Sequence, residues 1–366
     1  MIFLLLLLLP SQLALHFWPS WSLINGIRID YLSPTLYFTD LIIIGLFLIS
    51  RLRVRVPLPV IIFVVLNILV SSSPLVSLYK WFRVLEFFWL FKYLSLNINF
   101  SRSASSSSMF QISNLKFAIL WTAVLAWWQF FLQHSVGGLW TWLGERPLSV
   151  ATPLIAKVSF LGQQLMRPYA TFPHPNALAG FLLVTALLLY RRIPWAAALA
   201  LLTIPITFSR TAIVLEVIFL LIYLRPAILK VALLVSSIYY LVSVSGSVAS
   251  LPDRLSLIHN SLFIIQKSPL LGVGLGNFLP TTGLYQPVHN LYFLLASELG
   301  LPAFLAICYF VFRNCLGFRN SKLVIPVLVI LITGLADHYW LTLHQNTLLL
   351  VILIAYAYSH RWGSQR

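Results

Sequence analysis

Apolar runs of fifteen to twenty-four residues recur along the whole chain and leave no water-soluble stretch long enough to fold by itself. They are continuous and do not alternate, so they do not read as half-buried strands. In hydrocarbon only helices and closed barrels satisfy every backbone N–H and C=O internally, and uninterrupted runs of this length fit helices. Charge agrees: 9% of the 366 residues are Asp, Glu, Lys or Arg, against roughly 25% in ordinary globular domains, and the mean hydropathy is +0.92. The expected fold is all-α, a polytopic membrane protein forming one integral membrane unit over residues 1–366. About twelve spans are read, at 2–18, 35–50, 57–73, 76–95, 114–133, 176–190, 194–208, 211–225, 228–246, 289–312, 323–340 and 344–360.

Met1 to Leu9 lacks a basic leader and a small-residue cleavage pattern, so it reads as a retained first span. Cys308 and Cys315 lie seven apart in one apolar run, on one helix face, and read as free apolar side chains.

A net charge of +16 raises nucleic acid as a partner, but the basic residues are scattered between spans, which excludes a basic binding face. They report topology instead. With both termini cytoplasmic, Arg51, Arg53, Arg55, Lys92, Arg102, Lys116, Arg191, Arg192, Arg225, Lys230, Arg313, Arg319, Lys322, Arg361 and Arg366 all fall inside. Ser101 to Ser108 then reads as a flexible cytoplasmic linker.

Nine basic residues run against that bias: Arg28, Lys80, Arg83, Arg146, Lys157, Arg167, Arg210, Arg254 and Lys267. Arg83 and Glu86, three apart, can pair on one helix. The outer half otherwise offers few carboxylates, namely Asp30, Asp40, Glu145, Asp253 and Asp337, so an external anion is the expected partner of these cations. Glu216 and Glu298 fall inside spans, where an unpaired carboxylate is costly, and no partner can be read for either.

Two external connections are long, 134–175 and 247–288, and long loops between short ones carry function. The first ends in Arg167-Pro-Tyr-Ala-Thr-Phe-Pro-His174-Pro-Asn176, an extended, proline-braced segment with Asn176 as the expected helix cap. Arg210 sits in the very short outer turn after the seventh span, where a guanidinium fork suits an anion at the membrane surface. The second loop carries Arg254 and a helical stripe at Leu255, Ile258, Leu262 and Ile265. It then turns through Gly272, Gly274 and Gly276, with no strand before and no Walker lysine after, which rules against nucleotide binding. His289 and Asn290 open the tenth span, and a histidine there can act as a general base. Asp337, His338 and His344 can supply metal ligands or acceptor contacts, although a polar turn is the simpler reading.

In this order and spacing, Arg167 to Asn176, Ser209-Arg210, Arg254, Pro269 to Phe278, and His289-Asn290 through Glu298-Leu-Gly-Leu301 resemble the O-antigen ligase and O-antigen polymerase family. The resemblance covers about 140–305 and implies a GT-C-like bacterial inner-membrane glycosyltransferase. Such an enzyme moves a glycan from an undecaprenyl-diphosphate carrier to an acceptor hydroxyl at the outer face. It further implies that Arg210 and Arg254 bind the diphosphate and that His289 acts near the acceptor. Arg167, His174 and Asn176 match its first-loop motif and, with Asn290, are read as substrate-binding; no acidic cluster suited to a divalent cation appears in the outer loops, so neither a metal nor a cofactor is expected. Partners are the lipid-linked glycan, membrane lipids and an acceptor that is lipid A core, a growing glycan or protein. A lipid-linked saccharide flippase is the rival of another class, for which broken polar helices near mid-membrane are expected.

Overall fold

The computed structural model describes residues 1–97, 112–160, 162–223, 235, 240, 244–246, 251–315 and 321–362. The serine-rich stretch 101–108 and most of the expected span 228–246 lie outside the described residues.

Helix dominates. After a short α1 (Ile2–Leu7) come α2 (Phe38–Ile49), α3 (Leu58–Leu69), α4 (Pro74–Asn97), α5 (Leu115–Leu132), α6 (Pro175–Leu189), α7 (Pro194–Thr203) and α8 (Arg210–Tyr223). The second half adds α9 (Leu251–Lys267), α10 (Phe278–Thr282), α11 (Leu291–Leu299), α12 (Leu301–Cys315), α13 (Ser321–Ala336), α14 (Tyr339–Thr342) and α15 (His344–Trp362). Short antiparallel pairs decorate this bundle: β1 (Ala14–His16) with β4 (Thr35–Tyr37), and β2 (Leu23–Ile24) with β3 (Ile27–Arg28). In the first long loop, β5 (Lys157–Phe160) pairs both with β6 (Gln163–Met166) and with β7 (Val244–Gly246), tying the chain beyond α8 back to that loop.

Proline at the first position fixes the start of α6, and this helix is apolar on every side. A helix of that kind must be enclosed. Thirteen of its fifteen residues are buried, among α5, α7, α8, α13 and α15. The outer helices show the opposite arrangement: Leu48 and Ile49 are each 75% exposed and Phe131 70%. So much apolar surface facing outwards is unsuited to water.

Only Ile112–Leu132 is long and apolar enough to cross a membrane by itself among the described residues; seven further apolar helices are shorter. The expected run 2–18 is helical only over Ile2–Leu7 and then enters the β1–β4 hairpin. Six helical residues rise about 9 Å, far less than the roughly 30 Å hydrocarbon layer, so the first span is corrected. The expected span 289–312 is broken at Gly300, whose φ of +80° no side chain favours and whose Cβ would strike the backbone of Leu270.

Glu298, for which the sequence names no partner, clasps the glycine turn. Its carboxylate accepts from Gly276 N–H (2.9 Å), Phe278 N–H (3.2 Å) and Tyr31 Oη (3.1 Å). Asn67 Nδ2 donates to the Leu271 and Glu298 carbonyls, and Asn277 Oδ1 accepts from Ser73 N–H, pinning the turn to α3 and α4. The glycines are therefore a structural buckle. Glu298→Ala strands two buried amides and is expected to cost about 3 kcal/mol, with Glu298→Gln losing less; thermal unfolding of the detergent-purified protein measures both.

Helix α9 covers the stretch where the helical stripe is read. Leu257, Ser261 and Ile264 are buried, while Leu255 (55%) and Leu262 (48%) face outwards. Arg83 is likewise not waiting for an external anion. It pairs with Glu86 (2.6 Å), as the spacing suggests, and also with Asp40 (2.8 Å). His344 belongs to this cluster, between Thr39 Oγ1 (2.6 Å) and the Arg83 guanidinium, stacked on Tyr37.

Candidate functional site

The first loop is held from below by α5. Gln129 Oε1 accepts from Tyr169 and Ala170 N–H, and Gln129 Nε2 donates to Glu145, whose carboxylate in turn accepts from Val136 and Gly137 N–H at 2.8 Å. With its backbone fixed, Arg167 spends its fork on two internal acceptors: Nε donates to Thr207 O (2.8 Å) and a terminal nitrogen to Asn176 Oδ1 (2.6 Å). Burial lowers its pKa to about 10, which leaves it charged near neutrality. Arg146 similarly donates to Pro173 O at 2.8 Å.

The helix cap differs from expectation. His174 is the N-cap of α6, its Nδ1 accepting from Asn176 N–H (3.1 Å), because Pro175 takes the first helical position. Asn176 instead bridges, receiving Arg167 and donating from Nδ2 to Asp337 Oδ2 (3.1 Å). Burial lowers the His174 pKa to about 3, so the imidazole is neutral and its cap acceptor intact. A depressed imidazole stabilises the fold fully above its ordinary value of about 6.5 and loses that contribution as pH falls towards about 3. Melting temperature is expected to drop from about pH 7 to pH 5, and His174→Asn, a cap that does not titrate, to flatten that part of the slope. Parallel slopes in both proteins would refute the cap.

The second loop and the following helix contribute the rest. Asn290 caps α11, its Oδ1 accepting from Tyr292 and Phe293 N–H at 3.0 Å and its Nδ2 donating to Leu335 O. Its polar atoms are thus engaged in structure, and it does not line the cavity described below. His289, one residue earlier, is left at the cavity wall. Its Nδ1 lies 3.6 Å from Asp337 Oδ1, longer than a hydrogen bond, and its Nε2 lies 3.4 Å from Gln286 Oε1. His338 stands beside it, ring centres 5.3 Å apart, with Nδ1 on Thr342 Oγ1 (2.7 Å) and Nε2 3.9 Å from Asp337 Oδ1.

These groups converge on one cavity of about 730 Å³, within the range of small-ligand sites, roughly 300–1,000 Å³. Arg167, His174, Asn176, Arg210, Arg254 and His289 all line it, so six of the seven residues singled out in the sequence share one wall. Among the described residues the ionised lining is lopsided: Arg146, Lys157, Arg167, Arg210 and Arg254 face a single carboxylate, Asp337. Arg254 Nε and His289 Nδ1 are buried without a hydrogen-bond partner among the described residues. Asp337, whose simpler reading is a polar turn, lies instead on the cavity wall beside His289; a lone carboxylate at the outer end of an apolar run does not say which histidine it meets.

Residues 177–308 match the family model Wzy_C, described as O-antigen ligase. That segment contains Arg210, Arg254, His289 and Asn290, whereas Arg167, His174, Asn176 and Asp337 lie outside it. The resemblance drawn from motif order is borne out there. No curated protein matches the chain.

Proposed function

We propose, from the match of residues 177–308 to the O-antigen ligase family model, that this protein transfers a glycan from undecaprenyl diphosphate to an acceptor hydroxyl at the outer face of the bacterial cytoplasmic membrane. The family is one of membrane proteins, and its function is of the O-antigen ligase or polymerase type. The finer reading keeps a multi-pass topology with a cytoplasmic C-terminus, without the first expected span and with the short described helices combining to cross. The basic connections at Arg51 to Arg55, Arg191-Arg192 and Arg313 support that orientation. It places the loops 134–175 and 247–288, and hence the cavity, on the external side.

One observation carries the chemistry: five cations against one carboxylate, with a histidine held beside that carboxylate, around a single cavity. A lipid-linked diphosphate is an anion confined to the interface, and guanidinium forks suit its oxygens. In the proposed inverting displacement, His289 Nε2 accepts the proton of the acceptor hydroxyl while that oxygen attacks the anomeric carbon. The bond from that carbon to the phosphate oxygen breaks, and the electron pair leaves on the diphosphate, neutralised by Arg210 and Arg254 without a divalent cation. Asp337 orients the ring through Nδ1–H and stabilises the imidazolium. Arg167 and Asn176 hold Asp337 and the α6 cap in place, acting on the geometry of the pair.

A paired base and carboxylate serves bond making and favours transfer over lipid-linked saccharide transport. The test is reconstitution of the full chain with an undecaprenyl-diphosphate glycan, offering lipid A core and free glycan as competing acceptors. Ligase action yields glycan joined to the core, polymerase action a longer carrier-linked glycan, and absence of both products with both acceptors refutes the proposal.

A further inference from the structure

The polar faces of His289 and His338 present a chemical inconsistency that a hydrogen bond does not resolve. His338 Nδ1 is engaged by Thr342 Oγ1 at 2.7 Å, which leaves its Nε2 aimed at Asp337 Oδ1, 3.9 Å away. His289 Nε2 lies 3.4 Å from Gln286 Oε1, while its Nδ1 faces the same carboxylate oxygen at 3.6 Å and has no hydrogen-bond partner among the described residues. Three donor atoms thus lie within 4.8 Å of one another. The carboxylate is fixed from behind, Oδ2 by Asn176 Nδ2 (3.1 Å) and Oδ1 by the His338 N–H (2.8 Å). Two imidazoles with their far nitrogens engaged, and a carboxylate with its own supporting contacts, are the surroundings that metal ligands require.

We infer that His289, Asp337 and His338 form a three-ligand site for a zinc-type transition metal, whose occupation shuts off transfer. Metal-ligand bonds of about 2.0–2.1 Å at tetrahedral angles place donors about 3.4 Å apart. The two histidine–carboxylate separations of 3.6 and 3.9 Å are within a small ring rotation of that spacing. A His₂Asp set with a fourth position open to the cavity fits zinc, or cobalt as its probe, better than magnesium, which demands oxygen ligands.

The inhibitory consequence follows from the tautomer and rests on the base role proposed for His289. Transfer needs the ring proton on Nδ1 and the lone pair on Nε2. Zinc takes the Nδ1 lone pair, so the single ring proton must sit on Nε2, passing there through solvent with no net gain or loss. The hydroxyl then has no acceptor for its proton, and Asp337 is engaged by the metal.

Titrating the EDTA-treated, detergent-solubilised full chain with Co²⁺ is expected to produce the visible absorption of a four-coordinate site at one ion per chain, displaced by Zn²⁺. His338→Ala removes a ligand that takes no part in the proposed transfer. It is expected to keep metal-free transfer, to lose the cobalt band and to need at least about tenfold more zinc for inhibition. A cobalt band or a zinc sensitivity unchanged in His338→Ala overturns the site, as does the absence of binding to the parent chain. Transfer that requires zinc overturns the inhibitory role. Cobalt binding with the expected ligand dependence, in a protein that transfers no glycan with or without metal, sinks the functional reading while leaving the metal site standing.

Discussion

His289→Ala is expected to lower kcat for glycan transfer by about 10²–10⁴-fold, the ordinary contribution of a positioned base, while leaving affinity for the lipid-linked diphosphate nearly unchanged. The separation follows from the layout of the cavity. The imidazole lies beside Asp337 at 3.6 Å, whereas the charges suited to a diphosphate are on Arg210 and Arg254, in other elements. Asp337→Asn is expected to fall in the same direction. An amide neither stabilises an imidazolium nor fixes the Nδ1–H tautomer, and it also disturbs the contact to Asn176 Nδ2. Single-turnover transfer and equilibrium binding of the fluorescent carrier, measured on the same preparations, separate the two effects. Loss of carrier binding with turnover per bound carrier intact would remove His289 from the proton-transfer step.

What the chain disclosed in advance was the identity of the cavity wall, because its residues sit at helix ends where an arginine or histidine has no ordinary reason to be. Arg167, Arg210, Arg254 and His289 were legible on that ground, and the motif order added a family. Their connectivity was not. Asp337 meets His289 across 48 positions of sequence, and no local pattern encodes that meeting. The exchange of roles between His174 and Asn176 was readable in principle, since a proline at the first helical position makes the preceding residue the cap.

The apolar run 2–18, read as a span, ends in a hairpin, and helix α9 turns its Leu255 and Leu262 side outwards while burying Ser261. In a protein with apolar surroundings, hydrophobicity marks a side chain as compatible with either core or surface. The stripe that locates the core of a soluble helix therefore loses its direction. Glu298 shows the converse: a buried carboxylate in an apolar run marked a real constraint, whose partners were the amides of a glycine turn some twenty residues away.

Arg254→Ala and Arg210→Ala are each expected to reduce transfer by about 10²–10³-fold, the scale of removing one preorganised donor from a developing anion. Arg210 is the first residue of α8 and Arg254 lies in the first turn of α9, so each adds its charge to a helix N-terminus, where unpaired amides already favour an anion. Among the described residues the buried Arg254 Nε has no acceptor, and a buried donor gains from one. The contact to phosphate oxygens is expected to matter in both the bound carrier and the leaving group, so carrier affinity and kcat should fall together, unlike in His289→Ala. Lysine at position 254 supplies charge without the planar fork and is expected to restore binding more than turnover. Lys267→Ala, at the opposite, exposed end of the same helix and packed over Phe263, serves as the control and is expected to transfer normally. Undiminished transfer in both arginine variants, with correct folding, would show that the cationic cavity is not where the diphosphate is held.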